Sequence, residues 1–322
     1  MDADVWHDLL CNNHAGYLAA RAEHFGARTE RPRIQRMAFR EANLAGLDLS
    51  NIDFCGCEFF GCDLEGADLS DSLLRLTRLR SCNLRGANLP AANLSNGEAI
   101  NCDFTGADLT GATLLLQKLY NSDFTRAVLC HADLSAAEAP DVSFRDVQAE
   151  RCFWTKADLR NCDFAGAVLK RGVFRVAALS GANLAGVLLE EADLTFAVIH
   201  GTSFEGAQMQ RCNLSNAFLQ DTNLRGADLT DAKMETIDFE AADLTGAKLT
   251  GVLFDSIQTR ENRQRHAGLR EQAMREYELL HVKDNALSIA AEELGPTALS
   301  QFIAAVGASG EPDKPAGQGN DA

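Results

Sequence analysis

The residues of this sequence that could bind a metal ion or act as nucleophiles include ten cysteines and seven histidines. Three of the cysteines lie close together in the segment CGCEFFGC, which holds Cys55, Cys57 and Cys62. Alternation along an extended chain sends Cys55 outward and Cys57 inward, and no second pair follows at the spacing of a zinc ribbon. We therefore predict no metal site in this segment.

Histidine spacing is equally unfavourable for a metal or a catalytic centre. His7, Cys11 and His14 would share one helix face, but two helical turns separate the outer pair by about 10 Å, too far for one ion. His131 and His200 fall at distant positions of the repeat described next, so they form no Ser/His/Asp or Cys/His cluster. The sequence predicts no catalytic, metal or cofactor-binding residue, no cofactor, and a protein that is not an enzyme.

A five-residue repeat positions these side chains. From Ile34 to Phe254, every residue whose number ends in 4 or 9 is Leu, Phe, Ile, Met, Trp or Ala. Neither an α-helix nor a flat strand has this period. Asp or Asn recurs one residue earlier, where we interpret it as a backbone partner in a turn. A small residue recurs two positions earlier, and seven cysteines stand there, where we predict that they replace alanine in the core. These cysteines are Cys57, Cys62, Cys82, Cys102, Cys152, Cys162 and Cys212.

A second period of twenty residues is superimposed on the first. Glycine recurs at this interval from Gly46 to Gly246, with interruptions at Arg126 and Asp146. Four groups of five would make one square coil, with one corner that prefers glycine for its backbone geometry. Coils stacked about 4.8 Å apart would form a solenoid roughly 50 Å long.

The commonest form of the repeat, seen in GADLS, GANLP, GADLT and GANLA, resembles the pentapeptide-repeat family. The resemblance implies an all-β solenoid, a right-handed quadrilateral β-helix of about 11 coils. The two periods support the square coil independently, whereas the handedness rests on the resemblance alone.

The sequence divides into four parts. Residues 1–31 carry DVWHDLL and GYLAARAEHF and are predicted to form a short N-terminal helical cap on the β-helix of residues 32–257. Residues 258–306 are predicted to be an α-helical extension, either a C-terminal cap or a dimerisation module, and 307–322 a disordered tail. The candidate dimer helix carries Leu269, Ala273, Tyr277 and Leu280.

Charge and hydropathy exclude several classes of function. The net charge of −16 argues against direct binding to nucleic acid or an anionic membrane and favours a basic partner. The N-terminus is acidic where a signal peptide is basic, and no apolar stretch is long enough to span a bilayer. We therefore expect a cytoplasmic protein with reduced cysteines.

The four faces of the predicted coil, each named by its first core residue, differ in charge. The Phe39, Leu44 and Leu49 faces each sum to −4, whereas the Ile34 face sums to +1. The Ile34 face also carries apolar residues at outward positions, which mark either a partner surface or harmless variation. This set, the apolar face, comprises Leu73, Leu76, Leu115, Leu116, Phe153, Val173, Val176 and Phe196.

One irregular stretch interrupts the repeat. Core positions shrink to Ala139 and Ala149, Pro140 appears, and the next core residue is the oversized Trp154. We interpret this as local compensation of volume, with a docking site as the alternative.

Three functions fit these features. The first is a non-enzymatic protein–protein interaction scaffold built on an acidic rod. The second, implied by the resemblance, is a DNA mimic that binds DNA gyrase or topoisomerase IV and protects it from quinolones or toxins. The third is a secreted bacterial effector.

Overall fold

A computed structural model describes residues 3–13, 17, 31–237 and 242–253 of the chain. The predicted helical extension at 258–306, with Leu269, Ala273, Tyr277 and Leu280, and the predicted tail at 307–322 lie outside the described residues. The named elements are α1 (Ala3–Asn12), β1 (Ala38–Arg40), β2 (Glu58–Phe60), β3 (Arg78–Arg80) and β4 (Glu98–Ile100).

The backbone winds as a parallel solenoid with twenty residues per coil. Strands β1 to β4 stack in chain order as one parallel sheet, and Phe39 pairs with Phe59 in register. The other sides are joined by isolated parallel bridges between residues twenty apart, such as Asn43 with Asp63. The Leu44 amide donates to the Asp63 carbonyl oxygen at 2.7 Å, and the same step repeats one coil later from Leu64. These contacts confirm the predicted β-helix, while the coil count and the handedness stay predictions.

Large and small inward side chains form one continuous core. Phe104 and Phe124 stack with ring centroids 4.6 Å apart, and Phe144 and Phe164 continue the column at 5.0 Å. The small residue two positions before each of them fills the space beside the corner, so the interior is close-packed. Every coil therefore has the same pattern of inward positions, although side chains of different size fill them.

The irregular stretch is absorbed by the core. Trp154 is fully buried, stacks on Phe174 with centroids 5.8 Å apart, and meets Phe144 edge-on at 5.2 Å. Its bulk lies in the coil that follows the small residues Ala139 and Ala149, which are also buried. This supports the interpretation as compensation of volume.

The corners of the coil all adopt the same unusual backbone conformation. Every described corner residue from Arg36 to Gly251, one in each group of five, has φ between 52° and 74°. The glycine corner therefore has the left-handed geometry that favours glycine, as predicted, but the other corners share it, so backbone geometry alone does not single out this corner. A Cβ at Gly66 or Gly86 would meet nothing within 4 Å, whereas a Cβ at Gly166, on the same corner, would clash with the Asp146 carboxylate.

Helix α1 packs against the first coil, while the assignment of residues 1–31 as an N-terminal cap stays a prediction. Leu10 is fully buried, and the His7 ring lies 4.7 Å from the ring of Phe39. Tyr17 is also buried, and its hydroxyl donates to the Asp48 carbonyl oxygen. The rest of the second predicted helix lies outside the described residues. Within the described residues, no helix is both long and apolar enough to cross a membrane.

Candidate interaction face

The cysteines lie where the repeat predicts. The seven at small inward positions are buried, whereas Cys11, Cys55 and Cys130 are half-buried, and all ten are free thiols. Burial raises the pKa of Cys57 and of Cys212 to about 12. Thiols that hold their protons this strongly are poor nucleophiles and poor metal ligands. The prediction that they replace alanine in the core is confirmed.

The histidines make structural contacts. His7 Nε2 lies 2.9 Å from the Ala38 carbonyl oxygen and 3.7 Å from Cys11 Sγ, whereas His14 lies outside the described residues. His200 Nδ1 lies 3.0 Å from the Gln220 carbonyl oxygen. Among the residues that the structure describes, no group of three His, Cys, Asp or Glu side chains is placed to hold a metal ion.

The recurring Asp and Asn residues serve the turns, as predicted. The Asp68 Oδ1 atom accepts from the Ser70 amide at 2.9 Å, and Asp103 does the same with Thr105 at 2.8 Å. At Asp228, the Thr230 hydroxyl and the Lys248 ammonium also donate, and they lower the pKa of that carboxyl to about 2. These carboxylates stabilise corners and are not arranged as catalytic acids.

The apolar face forms a line of side chains along one edge of the solenoid. Leu73, Asn93, Thr113, Asp133 and Phe153 follow one another in a single ladder of bridges, so four coil steps separate the first from the last. Leu76 and Phe153 are 49% and 46% exposed, and the other six members of the face are half-buried. The structure therefore brings the predicted residues to one face, at intervals rather than as an unbroken patch.

Half of the apolar face occupies strained corners. Leu76, Leu116, Val176 and Phe196 have φ of 57°, 56°, 59° and 60°. This left-handed region suits Gly or Asn and is costly for bulky or β-branched side chains. Among the described left-handed corners, no other carries an apolar residue larger than alanine, and all four lie on the same corner of different coils.

Two cations beside these residues lack ion-pair partners among the described residues. They are Arg75, next to Leu76, and Lys156, three residues after Phe153. Sequence reasoning did not single them out, although the charge of +1 on the Ile34 face was a usable signal.

Two acids that lie between the apolar residues of the Ile34 face are hydrogen-bonded to their own turns. Asp133 Oδ1 accepts from the Ser135 amide at 2.9 Å, and Asp193 Oδ1 accepts from the Thr195 amide at 2.9 Å. Asp193 also lies 3.5 Å from Arg175. These two carboxylates are therefore engaged with their own turns or with Arg175, and neither forms an ion pair with Arg75 or Lys156.

The other three faces carry charges of both signs that pair between coils. On the Phe39 face, Arg78 meets Glu58 at 2.9 Å. At the corner that follows the Leu49 face, Arg171 and Arg211 both contact Glu191, at 2.8 and 3.2 Å, and the hydrogen bond from Arg171 lowers the pKa of that carboxyl. Exposed pairs of this kind stabilise little individually.

A shallow groove lies beside Pro140 in the described part of the solenoid. Its lining includes Gly181, Gly201 and Arg160, and Arg160 is held by both carboxylate oxygens of Asp158, at 2.7 and 2.5 Å. The groove thus offers small residues and a neutralised cation, and the docking role considered for Pro140 stays a prediction.

Comparison with known proteins found similar solved structures and a matching family model. HetL, a pentapeptide repeat protein involved in heterocyst differentiation regulation in a Nostoc cyanobacterium, is 27% identical over 74% of this chain and 97% of its own, with a TM-score of 0.40. A trypsin-treated form of QnrB1, a plasmid-mediated fluoroquinolone resistance protein, is 19% identical over 73% of this chain and 97% of its own, with a TM-score of 0.41. A search of curated proteins found no match.

The family model for pentapeptide repeats matches the chain in eight copies. The matched stretches are 39–75, 77–114, 143–175, 173–209, 207–246 and 217–255. They cover more than half of the sequence and coincide with the solenoid. The chain belongs to the pentapeptide repeat family.

Proposed function

We propose that this protein is a non-enzymatic scaffold that binds another protein through the apolar face. A rigid solenoid holds that face in a fixed geometry, because its shape is set by the buried core and the ladders between coils. The described thiols are buried or half-buried, and the recurring Asp and Asn residues bind turns. The function therefore depends on the outward side chains, which differ from one coil to the next.

The observation that carries the proposal is the strain at the apolar corners. Holding a residue such as Val176 in the left-handed region reduces the stability of the fold by about 1 to 3 kcal/mol, whereas Asn at the same corner reduces it by less. Asn216, two coils further along the same corner, shows that the fold accepts the less strained residue. Strain retained at half-buried or exposed positions on one edge indicates a function for the side chains there.

The test is capture of a partner by the full chain and by two double variants. Leu115→Glu with Leu116→Glu places charge on the apolar face, and Val168→Glu with Leu188→Glu makes the same change at half-buried positions of the Leu49 face. We expect proteins identified by quantitative mass spectrometry to be lost with the first variant and kept with the second. Circular dichroism must show that both variants are folded. Equal capture by all three proteins would rule out the apolar face.

The second candidate, a DNA mimic that binds gyrase or topoisomerase IV, is supported by the charge of −4 on each of three faces. A DNA duplex roughly 50 Å long would carry about 30 negative charges, more than these three faces carry together, so the solenoid has a lower charge density than DNA. A supercoiling assay with and without a quinolone tests it. Inhibition or protection at micromolar protein that persists in the Leu115→Glu, Leu116→Glu variant would favour the mimic, and no effect would exclude it.

A further inference from the structure

The first three groups of the apolar face have a regular spacing along the solenoid axis, and Val173, Val176 and Phe196 follow in the next two coils. Leu73 and Leu76 lie in one coil, Leu115 and Leu116 two coils later, and Phe153 two coils after that. At about 4.8 Å per coil, two coils span about 10 Å. Two turns of an α-helix span about 11 Å, so apolar side chains seven residues apart on a helix would match this spacing.

The cations beside the first and the third of these groups specify the complementary charges on a partner. Arg75 lies beside the first apolar group and Lys156 beside the third, and neither has an ion-pair partner among the described residues. The carboxylates of the same face, Asp133 and Asp193, accept hydrogen bonds from their own turns. An acidic group on a partner would meet an available cation beside each of these two groups, whereas a basic group would be repelled.

We infer that the occupant of the apolar face is an amphipathic helix of another protein, with apolar residues about seven apart and Asp or Glu beside the first and third. This inference rests on the proposed function and names the chemistry of its partner. The acidic partner inferred here is the opposite of the basic partner that the net charge of the chain favours. The reason is that the summed charge of the Ile34 face is positive, whereas that of each other face is negative.

The probe is a fluorescein-labelled synthetic helix of about 18 residues with leucines about seven apart and glutamates beside the outer two. The matched control peptide has lysine in place of each of those glutamates. Fluorescence anisotropy with the full-length protein should show at least about tenfold tighter binding of the acidic peptide at low salt. The variant with Arg75→Glu and Lys156→Glu should reverse the preference.

Several results would overturn the inference. Equal binding of the two peptides, or a preference unchanged by Arg75→Glu with Lys156→Glu, would remove the charge assignment. Sedimentation that shows self-association lost in the same variant would make a second copy of this chain the occupant. If Leu115→Glu with Leu116→Glu still abolishes partner capture while the peptides bind equally, the scaffold function stands and only this inference fails.

Discussion

At the scale of single residues, the thiols show how the core controls chemistry. Cys57 is fully buried, and its Sγ donates to the Ile34 carbonyl oxygen at 2.5 Å. Its inward position was predictable from the repeat, because the residue two places before each core residue is small. The strength with which it holds its proton was not, since that depends on desolvation by neighbouring coils.

The raised thiol pKa values predict that the fold weakens in alkali. An unfolded thiol releases its proton near pH 9, whereas Cys57 and Cys212 hold theirs to about pH 12 when folded. The stability from each thiol is therefore full below pH 9 and falls by about 1.4 kcal/mol per pH unit above it. Urea unfolding from pH 8 to 10.5 in reductant should show a shallower pH slope for Cys57→Ala than for the unaltered chain.

The control is that the effects of the two cysteine substitutions on the pH slope should be additive. Cys212→Ala should reduce the slope by the same one proton, and the double variant by two, because the two thiols lie many coils apart. A double variant with the slope of the unaltered chain would show that these thiols are not protonated more strongly in the folded state.

At the scale of elements, helix α1 covers the exposed edge of the first coil. Leu10 is fully buried under it, whereas Val5 on the same helix is 45% exposed. An uncovered last sheet of a solenoid is a template for pairing with other chains. The helix itself was predictable from its sequence, but which of its residues bury required the structure.

Introducing a charge on the buried side of α1 should loosen this cap. Leu10→Glu is expected to lower the free energy of unfolding by about 2 to 5 kcal/mol, since it loses apolar burial and buries a carboxylate. Val5→Glu is the matched control and should change it by less than about 0.5 kcal/mol. Chemical denaturation measures both. Similar losses in the two variants would mean that α1 does not pack as described.

The corner residues should separate stability from binding. Val176→Asn relieves a β-branched residue at φ 59°, so we expect unchanged or higher stability, by up to about 1 kcal/mol, together with loss of partner capture. The reverse change on the same corner, Asn216→Val, should destabilise by about 1 kcal/mol. Thermal unfolding and the capture assay provide the readouts. A clear loss of stability in Val176→Asn would show that its packing outweighs its strain.

At the scale of the whole molecule, the repeat sets two properties of an outward residue independently. One is the face on which the residue lies, and the other is its position along the solenoid axis. The sequence predicted the period, the inward residues and the apolar face because each depends only on position modulo five and twenty. It did not predict that every corner is left-handed, since Arg, Asp and His stand at corners where their residue type alone does not announce this conformation. Nor did it single out Arg75 and Lys156, because ion pairing depends on the neighbours in adjacent coils.

Deletions of different length should therefore have different effects. A deletion of one full coil should shorten the distance between residues on one face, whereas a deletion of one side should move the residues that follow it to another face. Removing residues 117–136, one full coil, joins Leu116 to Ala137 in register and shortens the distance from Leu73 to Phe153 from about 19 to about 14 Å. Removing 122–126, one side, moves Phe153 a quarter turn away from the Ile34 face at almost unchanged height. Both variants should keep the β circular dichroism signal, because inward positions are equivalent.

Binding of the acidic helix should respond differently to the two deletions. The one-coil deletion keeps all apolar groups on one face but spoils the match to helical turns, so we expect a several-fold loss of affinity. The one-side deletion removes the third group and Lys156 from the face, so binding should fall to that of Leu115→Glu with Leu116→Glu. Equal affinity in both deletions and in the unaltered chain would mean that the helix is held within a single coil, and that the solenoid does not act as a ruler.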